Sequence, residues 1–353
     1  MRKLIIPPKL KQGDTIGFIS PSAGLAPFAM HRIEKAKKTF EKLGYKIKIA
    51  RHALKNSGYV SASIEERVSD IHEMFSDLGV KLIMTTIGGN HSNQLLKYID
   101  YELIKKNPKI FIGYSDITVL HLAFYSKADL ATYYGPCVMT QFGENPEVLE
   151  YTLKYFLKAV SEEKSERSYL VEPSNLWTEE ILDWFKKKDL KKARKLEKNK
   201  GYQWLIKGSA KGKIFGGCIP SINHLAGTGY WNNPKNTIFF IDIPEGEKFD
   251  QGLSIDKVDS YLADLDNLGV FDSIAGLIIG RPFHYSKEDE IKLKEIILRY
   301  LKKRKCPTLY NVNIGHADPI ITLRYGAIAE LDSVSDLFRI VSAKEFTAET
   351  TDE

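Results

Sequence analysis

The stretch Lys109-Ile110-Phe111-Ile112-Gly113-Tyr114-Ser115-Asp116-Ile117-Thr118-Val119-Leu120 decides how the rest of the chain is read. An apolar run rich in Ile and Phe stops at Gly113, a Ser follows two residues later, and helix-compatible sequence begins at once. The pattern predicts a strand, a sharp turn and a helix, with a hydroxyl at the turn. A Ser so placed stands clear of the sheet, and the backbone N–H groups after it point at whatever it attacks. Hydroxyl nucleophiles need that exposure, a nearby base and donors for a developing oxyanion. The plain alternative is an Asp/Ser helix cap after an ordinary strand.

Working outward, strand and helix signals alternate from residue 13 to about 140. Thr15 to Ser20 reads as a buried strand, His31 to Leu43 as an amphipathic helix ended by Gly44, and Tyr45 to Ala50 as a strand. Ser63 to Leu78 reads as a helix whose Ser63 and Glu66 have the spacing of a capping box. Lys81 to Thr86 is a strand running into Gly88-Gly89-Asn90-His91. This alternation predicts an α/β fold with a parallel, doubly wound sheet. Residues 145 to 165 look helical, whereas Glu166 to Lys200 is polar, aromatic and basic with no clean period, as in an interdomain region. From Lys213 strands return. Thr237 to Asp242 is strongly apolar and ends in an acid, and Ile274 to Gly280 follows. Ile255 to Leu268 and Lys287 to Lys303 have helical spacing, and Ala327 to Asp332 and Leu337 to Val341 look like closing strands. The expected division is 1–165 carrying the candidate nucleophile, 166–210 as linker or substrate loop, and 211–345 carrying the acid and the histidine.

At 353 residues the chain is long enough for about two domains with full cores. With 43% hydrophobic and 27% charged residues it has the composition of a soluble globular protein, and no apolar stretch approaches the ~18 residues of a membrane span. The apolar run at the N-terminus is too short for a signal peptide, so the expected location is the cytoplasm. Cys137, Cys218 and Cys306 lie far apart, which fits a reducing compartment, and no CxxC or HExxH spacing suggests a metal. Much of the +6 net charge comes from Lys186 to Lys195, read as a solvated face and not as a nucleic-acid patch.

A Ser nucleophile needs a base and an orienting acid. Three strand ends offer the parts: Ser115, then Asp242 with Glu245 three residues on, then His316 after an apolar-to-turn segment. Open α/β sheets build their sites at strand C-terminal ends. Each residue also has an ordinary reading: Asp242 as a strand end, Glu245 as a surface charge, His316 as a turn residue. His91, in the Gly-rich turn, is a minor candidate. Gly88-Gly89 lets backbone approach a ligand, and with the N–H of Asp116 could form an oxyanion hole. The pair lacks the GxGxxG and GxxxxGK[ST] spacings, so neither a dinucleotide nor a P-loop nucleotide is expected.

Several segments, in order, resemble the LD-carboxypeptidases and microcin C immunity proteins, a serine peptidase family with a Ser-His-Glu triad. They are Gly17 to Ala23, Ile87 to Leu96, Ile112 to Thr118, Tyr134-Gly135-Pro136, Gly212 to Gly217, Ile241 to Glu245 and Ile314 to Pro319. The resemblance implies a Rossmann-like N-terminal domain and a smaller C-terminal α/β domain with the site between them. It implies Ser115 as nucleophile, His316 as general base, and Gly89 and Asp116 backbone donors as the oxyanion hole. It also implies no metal, no cofactor and a homodimer. The segments Asn175 to Glu180, Trp184 and Gly201 to Trp204 look closer to the microcin-immunity branch, in which an aromatic side chain stacks on the substrate's nucleotide. Trp177 or Trp184 could do this, or could pack the linker. Two departures stand out. Asp242 occupies the place of the family's Glu, leaving Glu245 as an alternative acid. Arg324 stands where the family tends to have Pro. The expected activity is hydrolysis of an amide, in a murein L,D-peptide or an aminoacyl-nucleotide, the alternative being an inactive ligand-binding homologue.

Overall fold

The computed structural model describes residues 4–161, 168–342 and 345. The expected boundary at 165/166 therefore lies outside the described residues. Two sheets organise the chain. The first uses β1 (Thr15–Ile19), β2 (Lys46–Ile49), β3 (Val80–Thr85), β4 (Ile110–Gly113) and β5 (Tyr133–Tyr134), in the order 2-1-3-4-5 and all parallel. Helices Met30–Lys42, Ile64–Ser76 and Thr118–Lys127 lie between these strands. This is the doubly wound α/β arrangement the alternation predicts. The capping box at Ser63 forms as the spacing suggests, with the Ser63 hydroxyl accepting from the Glu66 N–H. β4 is wholly buried and the helix after it almost so, as expected for a segment that is apolar all round.

After β5 the chain contributes β6 (Tyr169–Leu170), β7 (Leu176–Trp177), β8 (Glu197–Lys198), β9 (Gln203–Ile206) and β10 (Ser209–Cys218). It continues through β11 (Thr237–Asp242), β12 (Gly276–Gly280), β13 (Thr308–Val312), β14 (Leu323–Arg324), β15 (Ile328–Asp332) and β16 (Leu337–Val341). The second sheet runs 6-16-15-10-11-12-13-9, with a parallel centre from β10 to β13 and antiparallel flanks.

Two features differ from the sequence reading. The stretch 166–210, expected as a linker or substrate loop, supplies both edge strands of the second sheet, β6 and β9, plus the β7–β8 pair. Strands of two to four residues are too short for a period to be legible. In addition, β14, from the second half of the chain, closes the first sheet by pairing antiparallel with β5 (Leu323 with Tyr134, Arg324 with Tyr133). Arg324 is thus an edge-strand residue beside β5. The two sheets are stitched together just after the loop that carries His316.

Candidate active site

Ser115 is the first residue of a short 3-10 turn that runs into the helix Thr118–Lys127, and its φ is +63°. A non-glycine residue in that region is strained by about 1 kcal/mol or more and persists only where its surroundings fix it. Those surroundings are tight. A Cβ on Gly113 would sit 2.3 Å from Thr85 Oγ1, and one on Gly88 would sit 2.8 Å from the Ser115 Cβ. The Ser115 N–H donates to the Tyr134 hydroxyl at 3.3 Å. Behind the turn, His121 Nε2 meets the Gly113 carbonyl at 2.9 Å, and burial drives its pKa down to about 3. His121 is therefore a neutral prop that donates to that carbonyl.

The loops after β1 and β3 flank the turn. In a 2-1-3-4-5 sheet the chain reverses direction between β1 and β3, and the crevice opened there is where such folds bind ligands. Gly89 has φ +144°, and a Cβ on it would lie 2.5 Å from Ser22 Oγ. The Ser22 hydroxyl donates to Asp116 Oδ2 at 2.6 Å and accepts the His91 N–H at 3.1 Å. Asp116 Oδ2 also accepts the Ser92 N–H at 2.9 Å. The Asp116 side chain thus braces the Gly88-Gly89 loop against the Ser115 turn. His91 serves this brace through its backbone while its ring packs on Tyr59, with centroids 4.6 Å apart.

The second sheet brings the acid and the base. Asp242, the last residue of β11, is fully buried. Its carboxylate accepts the Tyr134 hydroxyl and contacts His316 Nδ1 at 2.9 and 3.1 Å. Tyr134 therefore links the Ser115 backbone to the carboxylate that holds His316. Burial pushes the Tyr134 phenol well up, so it stays a donor. Gly315 makes this approach possible: its φ is +95°, and a Cβ there would fall 1.8 Å from Asp242 Oδ1. On the other side of the ring, Glu245 Oε2 lies 3.2 Å from His316 Nε2, at charge-pair distance but out of line for a hydrogen bond. Burial pulls the His316 pKa down, yet Asp242 and Glu245 outweigh it and hold the value up at about 9. The resting ring is an imidazolium between two carboxylates. Asp242 occupies Nδ1 and Glu245 sits by Nε2, so the two acids do not compete for one position.

Residues 174–199 dock on the His316 loop. Asn313 Nδ2 donates to Ser174 Oγ at 2.9 Å, and Thr178 and Asp318 exchange backbone hydrogen bonds at 2.7 and 2.9 Å. Arg194 pairs with Asp318 at 2.7 Å and with Glu144 at 2.9 Å, all three nearly buried. Arg32 continues the network to Glu144 at 3.3 Å and Asp189 at 2.8 Å. The run Lys186 to Lys195 is thus a solvated face only in part: most of its lysines are exposed, but Asp189 and Arg194 turn inward. Both candidate indoles carry a guanidinium. Arg281 lies 4.1 Å from the Trp177 ring centre and Arg32 lies 4.2 Å from that of Trp184. Trp177 sits one residue from the Thr178–Asp318 bridge, whereas Trp184 packs against the apolar cluster under the first sheet.

Cys218, Asp242 and His316 each present one ligand-type atom within 4.8 Å of the others. The donor chemistry does not suit a metal. Burial, then Asp242, push the Cys218 thiol well up, and His316 Nδ1 and the Asp242 carboxylate are already committed to each other and to the Tyr134 hydroxyl.

Tyr134, Arg194, Glu144, Arg281 and Cys218 were not singled out as site residues in the sequence. Tyr134 was visible only as part of Tyr134-Gly135-Pro136. The charged residues carry no local signal, because their partners lie on distant elements.

Residues 16–135 match the LD-carboxypeptidase N-terminal domain and residues 211–331 the LD-carboxypeptidase C-terminal domain. The microcin C7 self-immunity protein MccF of Escherichia coli is 30% identical over 92% of this chain and 92% of its own length. The chain belongs to the LD-carboxypeptidase family. A solved MccF-like protein from Bacillus anthracis str. Ames is 36% identical, covers 96% of this chain and 99% of its own, and superposes with a TM-score of 0.85. MccF in complex with glutamyl sulfamoyl guanosine is 29% identical with a TM-score of 0.86, over 95% of this chain and 98% of its own. A murein tetrapeptide carboxypeptidase of Pseudomonas aeruginosa is 29% identical over 37% of this chain and 41% of its own length. Among the described residues no helix is long and apolar enough to cross a membrane.

Proposed function

We propose that this chain is a serine-type amidase in which Ser115 attacks the amide carbonyl of an aminoacyl-nucleotide. The observation that carries the reading is the chain of contacts from the strained Ser115 turn through Tyr134 to Asp242 and His316. Ser115 Oγ adds to the carbonyl carbon while His316 Nε2 takes its proton. Asp242, on Nδ1, holds the ring in that tautomer. The N–H groups of Gly89 and Asp116 receive the developing oxyanion. The tetrahedral intermediate collapses, the C–N bond breaks, and His316 returns the proton to the leaving nitrogen. Water then releases the acid from the acyl-enzyme. The Ser115 turn would belong to an N-terminal domain and the Asp242–His316 pair to a C-terminal one.

The nucleotide end of the proposed substrate is supported by the MccF complex with glutamyl sulfamoyl guanosine and by the indole of Trp177 near the His316 loop. To stack on a base, Trp177 would use the face that Arg281 leaves free. Trp184 is less suited, since it packs into the apolar cluster around the helix Met30–Lys42. The family description together with the murein tetrapeptide carboxypeptidase among the relatives supports a second substrate class, a murein L,D-peptide. A homodimer in the cytoplasm belongs to the same proposal; three buried, unpaired cysteines agree with a reducing compartment.

The test is mass-spectrometric. Purified protein and its Ser115→Ala variant are each given an aminoacyl sulfamoyl adenosine and a murein tetrapeptide. Release of the amino acid by the wild type alone is expected. Release of terminal D-Ala instead would move the substrate to murein. No turnover of either would favour a ligand-binding homologue.

A further inference from the structure

The imidazole of His316 has a carboxylate at each nitrogen, and the two differ in what else they can do. Asp242 is fully buried, with its oxygens committed to Tyr134 and to Nδ1. Glu245 is about one-third exposed, follows the strand end by three residues, and lies beside Nε2 without a hydrogen bond to it. It sits at the mouth of a loop closed by its backbone bridge to Gly252.

Among the described residues, charged and polar groups reach the surroundings of His316 from several elements. From its own loop comes Asp318, matched by Arg194. From β11 and the turn after it come Asp242 and Glu245, and from the end of β10 comes the neutral Cys218 thiol. From the first sheet come Tyr114, with ring centres 5.0 Å apart, and Tyr134, which reaches the ring's partner Asp242. One imidazolium against Asp242 and Glu245 leaves one negative charge uncompensated at the mouth of the site. A cation is what such a site draws in.

An aminoacyl substrate carries one in the right place. Its ammonium nitrogen is about 2.5 Å from the scissile carbonyl carbon, being one Cα away. That carbon must come within about 3–3.5 Å of Ser115 Oγ, and Oγ within hydrogen-bond reach of Nε2. With its Cα turned toward Nε2, such a substrate brings the ammonium beside the carboxylate that lies 3.2 Å from that nitrogen.

We propose that Glu245 is the acceptor for the free α-ammonium of the substrate, and that this engagement frees His316 Nε2 to act as base. The inference rests on the proposed amidase reading and narrows its substrate class to compounds with an unblocked amine next to the scissile carbonyl. A resting ring held at about 9 cannot accept the Ser115 proton at neutral pH. Once the ammonium neutralises Glu245, support for the imidazolium drops, its Nε2 proton leaves to solvent, and the neutral ring faces Ser115 Oγ–H. A peptide whose scissile residue is acylated brings only a neutral amide N–H and leaves the ring charged. Glu245 thereby doubles as a specificity determinant.

Aspartyl sulfamoyl adenosine and its N-acetyl derivative are the probes. Wild-type protein is expected to favour the free amine by about 30-fold or more in kcat/KM, the size of one charge-assisted contact. Glu245→Gln should lose most of that preference, because the free amine loses its acceptor while the N-acetyl compound, meeting a ring that no second carboxylate keeps charged, is turned over faster, and the acid limb of the pH profile should move to lower pH. Equal wild-type rates on both probes, or an equal loss on both in Glu245→Gln, overturns the proposal while leaving the amidase intact. Calorimetric binding to Ser115→Ala separates the two failures. If neither probe is turned over but the free amine still binds about 10-fold tighter, and the preference vanishes in Ser115→Ala/Glu245→Gln, the ammonium site stands and the amidase reading falls. If Glu245→Gln is misfolded by its melting curve, Glu245→Asp, which keeps the charge, must retain the amine preference; loss of the preference there overturns the proposal.

Discussion

Replacing Gly315 by Ala isolates the contact on which the arrangement turns. The backbone there has φ +95°, and the new Cβ would fall 1.8 Å from Asp242 Oδ1. The backbone strain alone is worth about 1–2 kcal/mol. The overlap is harder to relieve, because the carboxylate is fully buried and held by Tyr134 and His316. Moving it away leaves an imidazolium and a carboxylate mispaired in the interior, at roughly 3–5 kcal/mol. The sum is about 5 kcal/mol, a fall in Tm on the order of 10 °C for units of this size. Gly227→Ala supplies the control: its φ is +73° and no atom lies within 4 Å of the new Cβ, so only strain remains. Its expected cost is about 1 kcal/mol with turnover unchanged. In Gly315→Ala the amidase rate should fall by roughly 10³ to 10⁴, as when a triad loses its orienting acid. Melting curves and amino-acid release measure both. If Gly315→Ala melts within about 3 °C of Gly227→Ala and keeps more than a tenth of the rate, the Asp242–His316 contact does not have the role argued from it.

Two further perturbations test the electrostatics. His316 is held at about 9 against an ordinary value of 6.5. A raised folded-state pKa contributes stability that is complete below about pH 6.5 and disappears as the pH rises through about 9. The stability gap between wild type and His316→Gln in urea should therefore shrink by about 3 kcal/mol from pH 6 to pH 9.5, and a constant gap would contradict the charged resting ring. Arg194→Met removes the cation shared by the nearly buried Asp318 and Glu144. It should cost about 3–5 kcal/mol, partly restored by adding Asp318→Asn; a loss under about 1 kcal/mol would mean that the network does not anchor the His316 loop.

Where local sequence encodes the outcome, it was legible. The apolar run into Gly113, the Ser63–Glu66 spacing and the acid at the end of Thr237–Asp242 each specify structure within a few residues, and each appears where the pattern says. Parallel strands buried on both faces leave a strong imprint, because every residue in them must be apolar. The two-residue strands β6 and β7 leave none, and so the segment around them reads as featureless although it borders the second sheet and pins the His316 loop.

By itself, the sequence determined the α/β class, the Ser115 turn, and the three strand ends that carry Ser115, Asp242 and His316. Motifs are short, and a strand end is a local property. Only the tertiary structure decided which carboxylate takes which nitrogen of His316. Asp242 and Glu245 are three residues apart and chemically alike on paper. One is buried at the strand end under Gly315, and the other is left beside Nε2 at the mouth of the site. Whether an acid orients a histidine or keeps it charged depends on distances across two sheets, and those distances exist only once the chain has folded.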